Sequence, residues 1–438
     1  MVGVQPGDPD QLLAGTQLRL GHLDQVAEVL GEYWNLRGRP AESMTWLRSA
    51  LDVPGQAPVR QRSVTLFLYA LGNIATEGTE RTDLAMRRSL RALAEIRLLH
   101  RRHRREDGWM EALIADGIWA MIRRDRSAAL VQIEKAQDDP DPWNRSLTRM
   151  MRAMLAENEG DVEQMYADLT EALAGFRSLG DRWGMSLAQR GLASHAMQAG
   201  DHARAVPALT EALRLLDELG TREGVPMLLV QRSQSRAELG DTDGARADLL
   251  QAREQAIRDA SPGNEAFANA ALGVLERRAG DLDSARELTD RALDQLGAVS
   301  ERFAPQALAM MHAMRAAVAL DDGDLDLAGR LCRRAVELGA AAEDMPVLSA
   351  VVEASAAVEL AAGDAQRSAR LLGVAAALRG MRSLPGQDVR RTAEQAREAL
   401  GDTAYQAEYD GGASLTRAAA YTELDLPADP FALQISGH

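Results

Sequence analysis

Residues 200–241 read GDHARAVPALTEALRLLDELGTREGVPMLLVQRSQSRAELGD and extend from one Gly-Asp dipeptide to the next. The dipeptide recurs with successive steps of 40, 40, 40, 43 and 40 residues, at Gly160-Asp161, Gly200-Asp201, Gly240-Asp241, Gly280-Asp281, Gly323-Asp324 and Gly363-Asp364. Glycine can adopt the left-handed conformation that ends a helix, and aspartate can accept hydrogen bonds from the free amides of the next helix. Each Gly-Asp therefore predicts a tight turn between two helices.

Small residues stand at fixed distances from each turn. Twelve residues after the glycines come Ala172, Ala212, Ala252, Ala292, Ala335 and Ala375. Seven residues before them come Ala153, Ala193, Ser233, Gly273, Ala316 and Ala356. Two helices need small side chains where their axes approach to about 8 Å. The pattern predicts closely packed helix pairs stacked in an array.

These positions resemble the tetratricopeptide repeat consensus, whose units are about 34 residues long. The resemblance implies an all-α, right-handed α-solenoid of about nine tetratricopeptide-like (TPR-like) helix pairs with a period of about 40 residues. We expect the extra residues to lengthen the helices or their connections. A helical cap is expected to close the array at its C-terminal end.

The chain divides by pattern into three regions. Residues 1–139 predict irregular N-terminal helix pairs, including one over Val64–Ile96 and others around Gly31 and Gly117. Residues 140–384 predict the regular array, and residues 385–438 the capping helices and a tail. The last repeat would otherwise expose an apolar face, which we expect Tyr405, Tyr409 and Tyr421 to cover.

Composition narrows the classes of partner. The chain has 438 residues and a net charge of −15, which argues against a surface that follows nucleic-acid phosphates. It contains no run of about 18 apolar residues and no signal-peptide pattern at its N-terminus, so we predict no membrane association and a cytoplasmic location. The single cysteine, Cys332, is read as a buried small hydrophobe in a reducing compartment.

Signatures of catalysis are missing from the sequence. It contains neither a Gly-x-Ser-x-Gly motif nor a phosphate-binding P-loop, and His202 has no metal-ligand type three or four residues away. Paired carboxylates such as Asp321-Asp322 fall at predicted helix ends, where capping and solvation explain them. We therefore expect a protein that is not an enzyme and needs no cofactor in this chain.

In tetratricopeptide arrays, the first helix of each pair lines the concave groove. Residues on the groove-facing side of these helices are therefore candidates for binding. By alignment, groove positions lie about 13, 10, 6 and 3 residues before each turn glycine. The candidates are Met150, Met154, Arg190, Met197, Met227, Gln234, Phe267, Arg277, Met310 and Met314. Methionines form an adaptable surface, although core packing is the alternative for any one of them. An arginine inside a groove needs an anionic partner, from a ligand or from a neighbouring acidic residue.

Chaperone-binding relatives capture peptide tails with Lys and Asn at the groove positions, and this chain has neither residue there. An apolar segment, a small metabolite or another protein domain fits the candidate groove better. The expected partner is therefore a protein domain, peptide or small-molecule effector.

Residues near both ends resemble one class of regulator. Segments Ala369–Arg379, Ala399–Tyr405 and Gly411–Leu415 resemble the closing part of actinobacterial SARP-type and LuxR-like (STAND, nucleotide-switch) transcriptional regulators, and Tyr33–Arg39 resembles their first helix pair after the switch. The resemblance implies a sensor region, excised from a longer regulator, that couples partner or ligand binding to an attached nucleotide-binding domain. The alternative is a stand-alone scaffold or peptide receptor.

Overall fold

The computed structural model describes residues 40–52, 59–75, 82–102, 131, 133–222 and 224–427. All regular secondary structure in these ranges is α-helical. The chain forms two compact units, with the main boundary between residues 132 and 133. No helix in the described ranges has the length and apolar character needed to cross a membrane.

The first unit contains helices α1 (Pro40–Asp52), α2 (Val59–Ala75) and α3 (Thr82–Arg102). Helices α2 and α3 pack antiparallel, because Ser89 Oγ donates to the carbonyl of Ala70 at 3.0 Å and Arg62 pairs with Glu95 at 2.8 Å. The helix pair predicted over Val64–Ile96 is therefore present. The pairs predicted around Gly31 and Gly117 lie outside the described residues.

From residue 142 onward, the described part of the second unit contains fifteen helices. They are α4 (Pro142–Glu159), α5 (Val162–Leu179), α6 (Arg182–Gln198), α7 (His202–Leu219), α8 (Val225–Glu238), α9 (Thr242–Arg258), α10 (Pro262–Ala279), α11 (Leu282–Phe303), α12 (Pro305–Asp321), α13 (Leu325–Ala342), α14 (Met345–Ala361), α15 (Ala365–Arg379), α16 (Gln387–Leu400), α17 (Asp402–Ala413) and α18 (Arg417–Glu423). Helix α11 is interrupted at Gly297, whose φ is 58° and ψ −175°.

The Gly-Asp turns have the predicted geometry. All six turn glycines have positive φ, from 73° at Gly160 to 91° at Gly363. Each following aspartate accepts a hydrogen bond from a backbone N–H three residues later, on Gln164, Arg204, Gly244, Ser284, Leu327 and Arg367. One dipeptide thus ends one helix and begins the next.

The alanines twelve residues after the turn glycines are all fully buried, with 0% exposure: Ala172, Ala212, Ala252, Ala292, Ala335 and Ala375. Helices α4 to α7 contain 17 or 18 residues each and are joined by short connections. Longer helices than those of the 34-residue family unit therefore account for the 40-residue period. Cys332 is 3% exposed, and burial raises the pKa of its thiol to about 11.

The last helices cap the array as predicted. Tyr405, Tyr409 and Tyr421 are 2%, 7% and 2% exposed and belong to the same core cluster as the apolar residues of α14 and α15. Helix α17 lies directly against α15 at Gly373 and Gly412, where a Cβ atom on either glycine would overlap backbone atoms of the other helix. The cap therefore depends on a close approach that only glycine allows.

Candidate ligand groove

A cavity of about 550 Å³ lies on the inner side of the second unit. Its lining comes mainly from the first helices of five consecutive pairs, α6, α8, α10, α12 and α14. Helices α12 and α14 supply an apolar wall that consists of Met310, Ala313, Met314, Ala317, Leu320, Val347, Ala350, Ala354 and Ala357. Charged residues on α8, α10, α12, α14, α15 and α16 also border the cavity. The arrangement combines apolar contact area with a small number of charged groups, as small-ligand and peptide sites do.

The cavity brings together half of the candidate binding residues: Met197, Gln234, Arg277, Met310 and Met314. The other five do not border it. Met150 is 7% exposed and packs in the core between α4 and α5, whereas Met154 is 48% exposed. Arg190 is exposed, and Met227 and Phe267 are half-buried.

The position along each helix explains part of this division. In the pairs that turn at Gly200, Gly240, Gly280 and Gly323, the residues three and six positions before the glycine all line the cavity. Among these four pairs, the residues 10 and 13 positions before the glycine do so only on α12, at Ala313 and Met310, and on α14 the equivalent residues Glu353 and Ala350 also line the cavity. The cavity therefore lies at the turn ends of α6, α8 and α10 and extends along α12 and α14. Of the more distant positions on α6, α8 and α10, only Val230 and Ala270 are buried.

Residues Gly380–Asp388, which we call the strap, cross these turn ends. The strap follows α15 and continues into the first turn of α16. Its Ser383 Oγ donates to the carbonyl of Gln198 at 2.7 Å, and His202 Nε2 donates to the carbonyl of Pro385 at 2.6 Å. The strap therefore forms one wall of the cavity.

Ion pairs hold the end of the strap in place. Asp388 lies 2.5 Å from Arg277 and 3.1 Å from Arg278, and Arg277 also pairs with Asp321 at 2.6 Å. Burial raises the pKa of Asp388, but the charges of Arg277 and Arg278 outweigh burial and keep that pKa below its ordinary value. The anionic partner expected for Arg277 is therefore supplied by the chain itself, at Asp321 and Asp388.

Glu238 is a second centre of the same network. Its carboxylate accepts from the backbone N–H of Gln387 at 2.8 Å and pairs with Arg278 at 2.8 Å and Arg390 at 3.0 Å. Its side chain is 7% exposed. Because buried charges are stable only when they are paired, Glu238 depends on Arg278 and Arg390 for its charge balance, and the strap adds one backbone hydrogen bond from Gln387.

The start of the strap is anchored by a buried pair. Arg379 and Glu353 have side chains 4% and 7% exposed and lie 2.5 Å apart. Arg379 also donates to the carbonyl of Ser383 at 2.7 Å. Close by, the ideal Cβ position on Gly380 would overlap the carbonyl oxygen of Gly160, so the first turn of the array touches the end of its last helix, α15.

We call the contact between Gly160 and Gly380 the closure. Glu157 lies near it, at the end of α4. Its Oε1 accepts from Ser194 Oγ at 2.7 Å and from Gln198 Nε2 at 2.8 Å. Burial raises the pKa of Glu157, and nearby Asp344 raises it further, while Arg190 and the two hydrogen bonds oppose the shift. Helix α4 also packs against α14, so the array turns back on itself.

Several groove residues were missed by the sequence analysis. Glu238, Arg278 and Asp321 each stand two positions before a turn glycine, and a charged residue at that position in three consecutive pairs was an available signal. The interpretation of Asp321 as a solvated capping residue was wrong, because it pairs with the buried Arg277. Asp322 does cap α12 and pairs with Arg286 at 2.7 Å.

No protein-family model matches the chain, and no curated protein matches it. Among solved structures, it is similar to a Rap protein complexed with Competence and Sporulation Factor, with a TM-score of 0.56, 13% identity, and coverage of 85% of this chain and 99% of that chain. The fold is a TPR-like solenoid. At this identity the similarity shows the fold alone.

Two further solved structures match less closely. A Pyrococcus horikoshii signal transduction ATPase with numerous domains, which has a tetratricopeptide repeat sensor, gives a TM-score of 0.42 at 13% identity, over 86% of this chain and 66% of that chain. Yeast Tom70 gives 0.35 at 12% identity, over 96% of this chain and 100% of that chain. In the described residues, no group of three or more His, Cys, Asp or Glu side chains is arranged to hold a metal ion.

Proposed function

We propose that this chain is a non-catalytic binding module whose inner face takes a peptide or an extended segment of a partner protein. The cavity of about 550 Å³ carries the proposal, because it combines an apolar wall with charged groups along five consecutive first helices and the strap. Apolar area provides affinity, and a few charged groups fix the orientation of a ligand. Met197, Met310 and Met314 can adapt to side chains of different shape.

Within a longer regulator, the module would act as a sensor that couples binding to an attached nucleotide-binding switch. The contact between the Gly160 turn and Gly380 supports this extension, since a ligand that alters the groove also alters the closure between the first and last repeats. The similarity to the Rap solenoid, which is complexed with a factor, agrees with a receptor role. A stand-alone receptor would use the same surface and differs only in having no switch to control.

Selection of random peptides against the full chain tests the binding surface. We expect the selected peptides to bind the Met310→Glu and Met314→Glu variants about tenfold more weakly, because a charge on the apolar wall is desolvated by the ligand. Leu250→Glu is the matched control, because Leu250 is 44% exposed on α9 and does not border the cavity. Equal loss in the control, or no loss in either wall variant, would place the binding surface elsewhere.

Coupling to a switch needs a separate measurement. The chain would be joined to the nucleotide-binding domain of such a regulator, and nucleotide exchange measured with and without a selected peptide. A change in exchange rate that disappears in Met310→Glu supports the sensor role. An unchanged rate with intact binding supports the stand-alone receptor.

A further inference from the structure

The strap contacts the array as a bound peptide would. Residues 381–385 have no regular secondary structure, and the strap meets the turn ends of successive pairs in order. Gly380 meets the turn at Gly160, Ser383 and Pro385 meet α6 and α7, Gln387 meets α8, and Asp388 meets α10. A non-helical segment that leads into the first turn of α16 is therefore already seated along the surface that the proposed function assigns to a partner.

Asp388 is the only carboxylate of the strap. Any segment that replaces the strap must therefore supply another anion at this position. Arg277 has a side chain that is 3% exposed, and its Nε forms no hydrogen bond within the described part of the chain. If Asp388 moved away, Asp321 would be the remaining ion-pair partner of Arg277. A buried guanidinium that loses a carboxylate is strongly destabilised unless another anion takes the vacated place.

We propose that the strap is an internal ligand that competes with the partner, and that the partner is an extended peptide whose acidic side chain replaces Asp388 on Arg277 and Arg278. This inference rests on the proposed function, because it takes the inner face as a peptide-binding surface. The strap makes polar contacts with the array at Ser383, Pro385, Gln387 and Asp388. A competing peptide can reproduce such contacts one for one.

Covalent attachment gives the strap an advantage over any free peptide. A tethered segment acts at an effective concentration in the millimolar range, so a free peptide with the same contacts binds weakly while the strap is seated. Weakening the strap without altering the array should therefore increase the affinity for a free peptide. The Arg277 and Arg278 side chains must stay intact for this effect, because they are the site for which the two segments compete.

A labelled copy of the strap tests the competition directly. The probe is a fluorescein-labelled synthetic peptide with the sequence of Gly380–Arg391, GMRSLPGQDVRR, and its binding to the full chain is followed by fluorescence anisotropy. We expect Asp388→Asn to bind the probe about tenfold more tightly than the unaltered chain. A probe with Asn in place of its Asp should bind Asp388→Asn about tenfold more weakly than the original probe.

Two additional proteins make the result specific. Asp322→Asn is the matched control, because Asp322 is adjacent to Asp321 but pairs with Arg286 and does not border the cavity. A Ser383→Ala/Gln387→Ala double variant weakens the strap at other contacts, so it carries the test if Asp388→Asn does not fold. It should also bind the probe more tightly, whereas Asp322→Asn should match the unaltered chain.

Equal affinity for the probe in the unaltered chain and in both strap variants would overturn the inference. Equal affinity for the Asp and Asn probes would overturn the acidic partner. These failures differ from a failure of the proposed function, because peptides selected at random that depend on Met310 and Met314 would still bind. Absence of any selected peptide would instead remove the proposed function itself.

Discussion

The regular array and the C-terminal segment are stabilised by different kinds of contact. Each pair of the array repeats the same local elements, a left-handed glycine, a capping aspartate and a buried alanine. The strap instead makes contacts that occur once and join residues far apart in sequence, 185 positions for Gln198 and Ser383 and 111 for Arg277 and Asp388. Repeated short-range contacts build the solenoid, and unique long-range contacts close its groove.

The difference bears on function. In an open repeat array each unit contacts only its neighbours, so a local change has local consequences. In this chain the strap and the contact between α4 and α14 join the first pairs of the array to the last. A ligand that displaces the strap would therefore affect the whole unit, which is the property that a sensor needs.

The largest expected effect is in the C-terminal segment, where one close helix contact can be broken. We expect Gly412→Ala to lower the free energy of unfolding by about 2–3 kcal/mol, because the added Cβ would overlap the backbone of α15. Gly411→Ala is the control, since its Cβ would meet only the flexible guanidinium of Arg370. Urea unfolding followed by circular dichroism measures both. Similar stability of the two variants would show that α17 is not held by this contact.

A smaller and more local effect is expected at one turn of the array. Asp324→Ala removes the side chain that accepts from the Leu327 N–H at 2.9 Å, and should cost about 1 kcal/mol. Asp324→Asn should retain nearly all of the stability, because asparagine is an equally good N-cap. Thermal unfolding separates these outcomes. A loss as large as that of Gly412→Ala would contradict the local character of the repeats.

The smallest effect concerns the ionisation of Glu157 at the closure. Because burial raises its folded pKa above the unfolded value, the stability linked to its protonated form is fully present at low pH. That stability is lost as pH rises from about 4.5 through the raised folded pKa. Glu157→Gln keeps an oxygen for Ser194 and Gln198 but does not ionise. Its melting temperature relative to the unaltered chain should therefore increase from pH 4 to pH 7.

Glu163→Gln is the control for this measurement, because Glu163 is exposed in the first turn of α5. The difference in melting temperature for Glu163→Gln should show no comparable rise across the same pH range. A pH-independent difference for Glu157→Gln as well would mean that Glu157 is not buried at the closure. The prediction would then be wrong.

Within the described residues, the sequence by itself determined the helix pairs, their turns and their cap. Gly-Asp at each turn and alanine at each helix contact act within one or two helices, so their spacing specifies structure directly, and Tyr405 and Tyr421 follow from the need to cover a last repeat. The groove was predicted only in part. Met197, Gln234 and Arg277 were found because they stand close to the turn, whereas Met150 and Arg190 were assigned by the same rule and lie elsewhere.

Only the tertiary structure decided which segments border the groove and which charges meet there. Each helix pair is rotated slightly relative to the one before it, and these rotations add up over six pairs. The total rotation brings Gly380 to Gly160 and Asp388 to Arg277. The total rotation cannot be predicted from a dipeptide or its spacing, because it depends on every helix packing angle between the two ends. A repeat can therefore be read from its residues, whereas the contact that closes the array requires the folded chain.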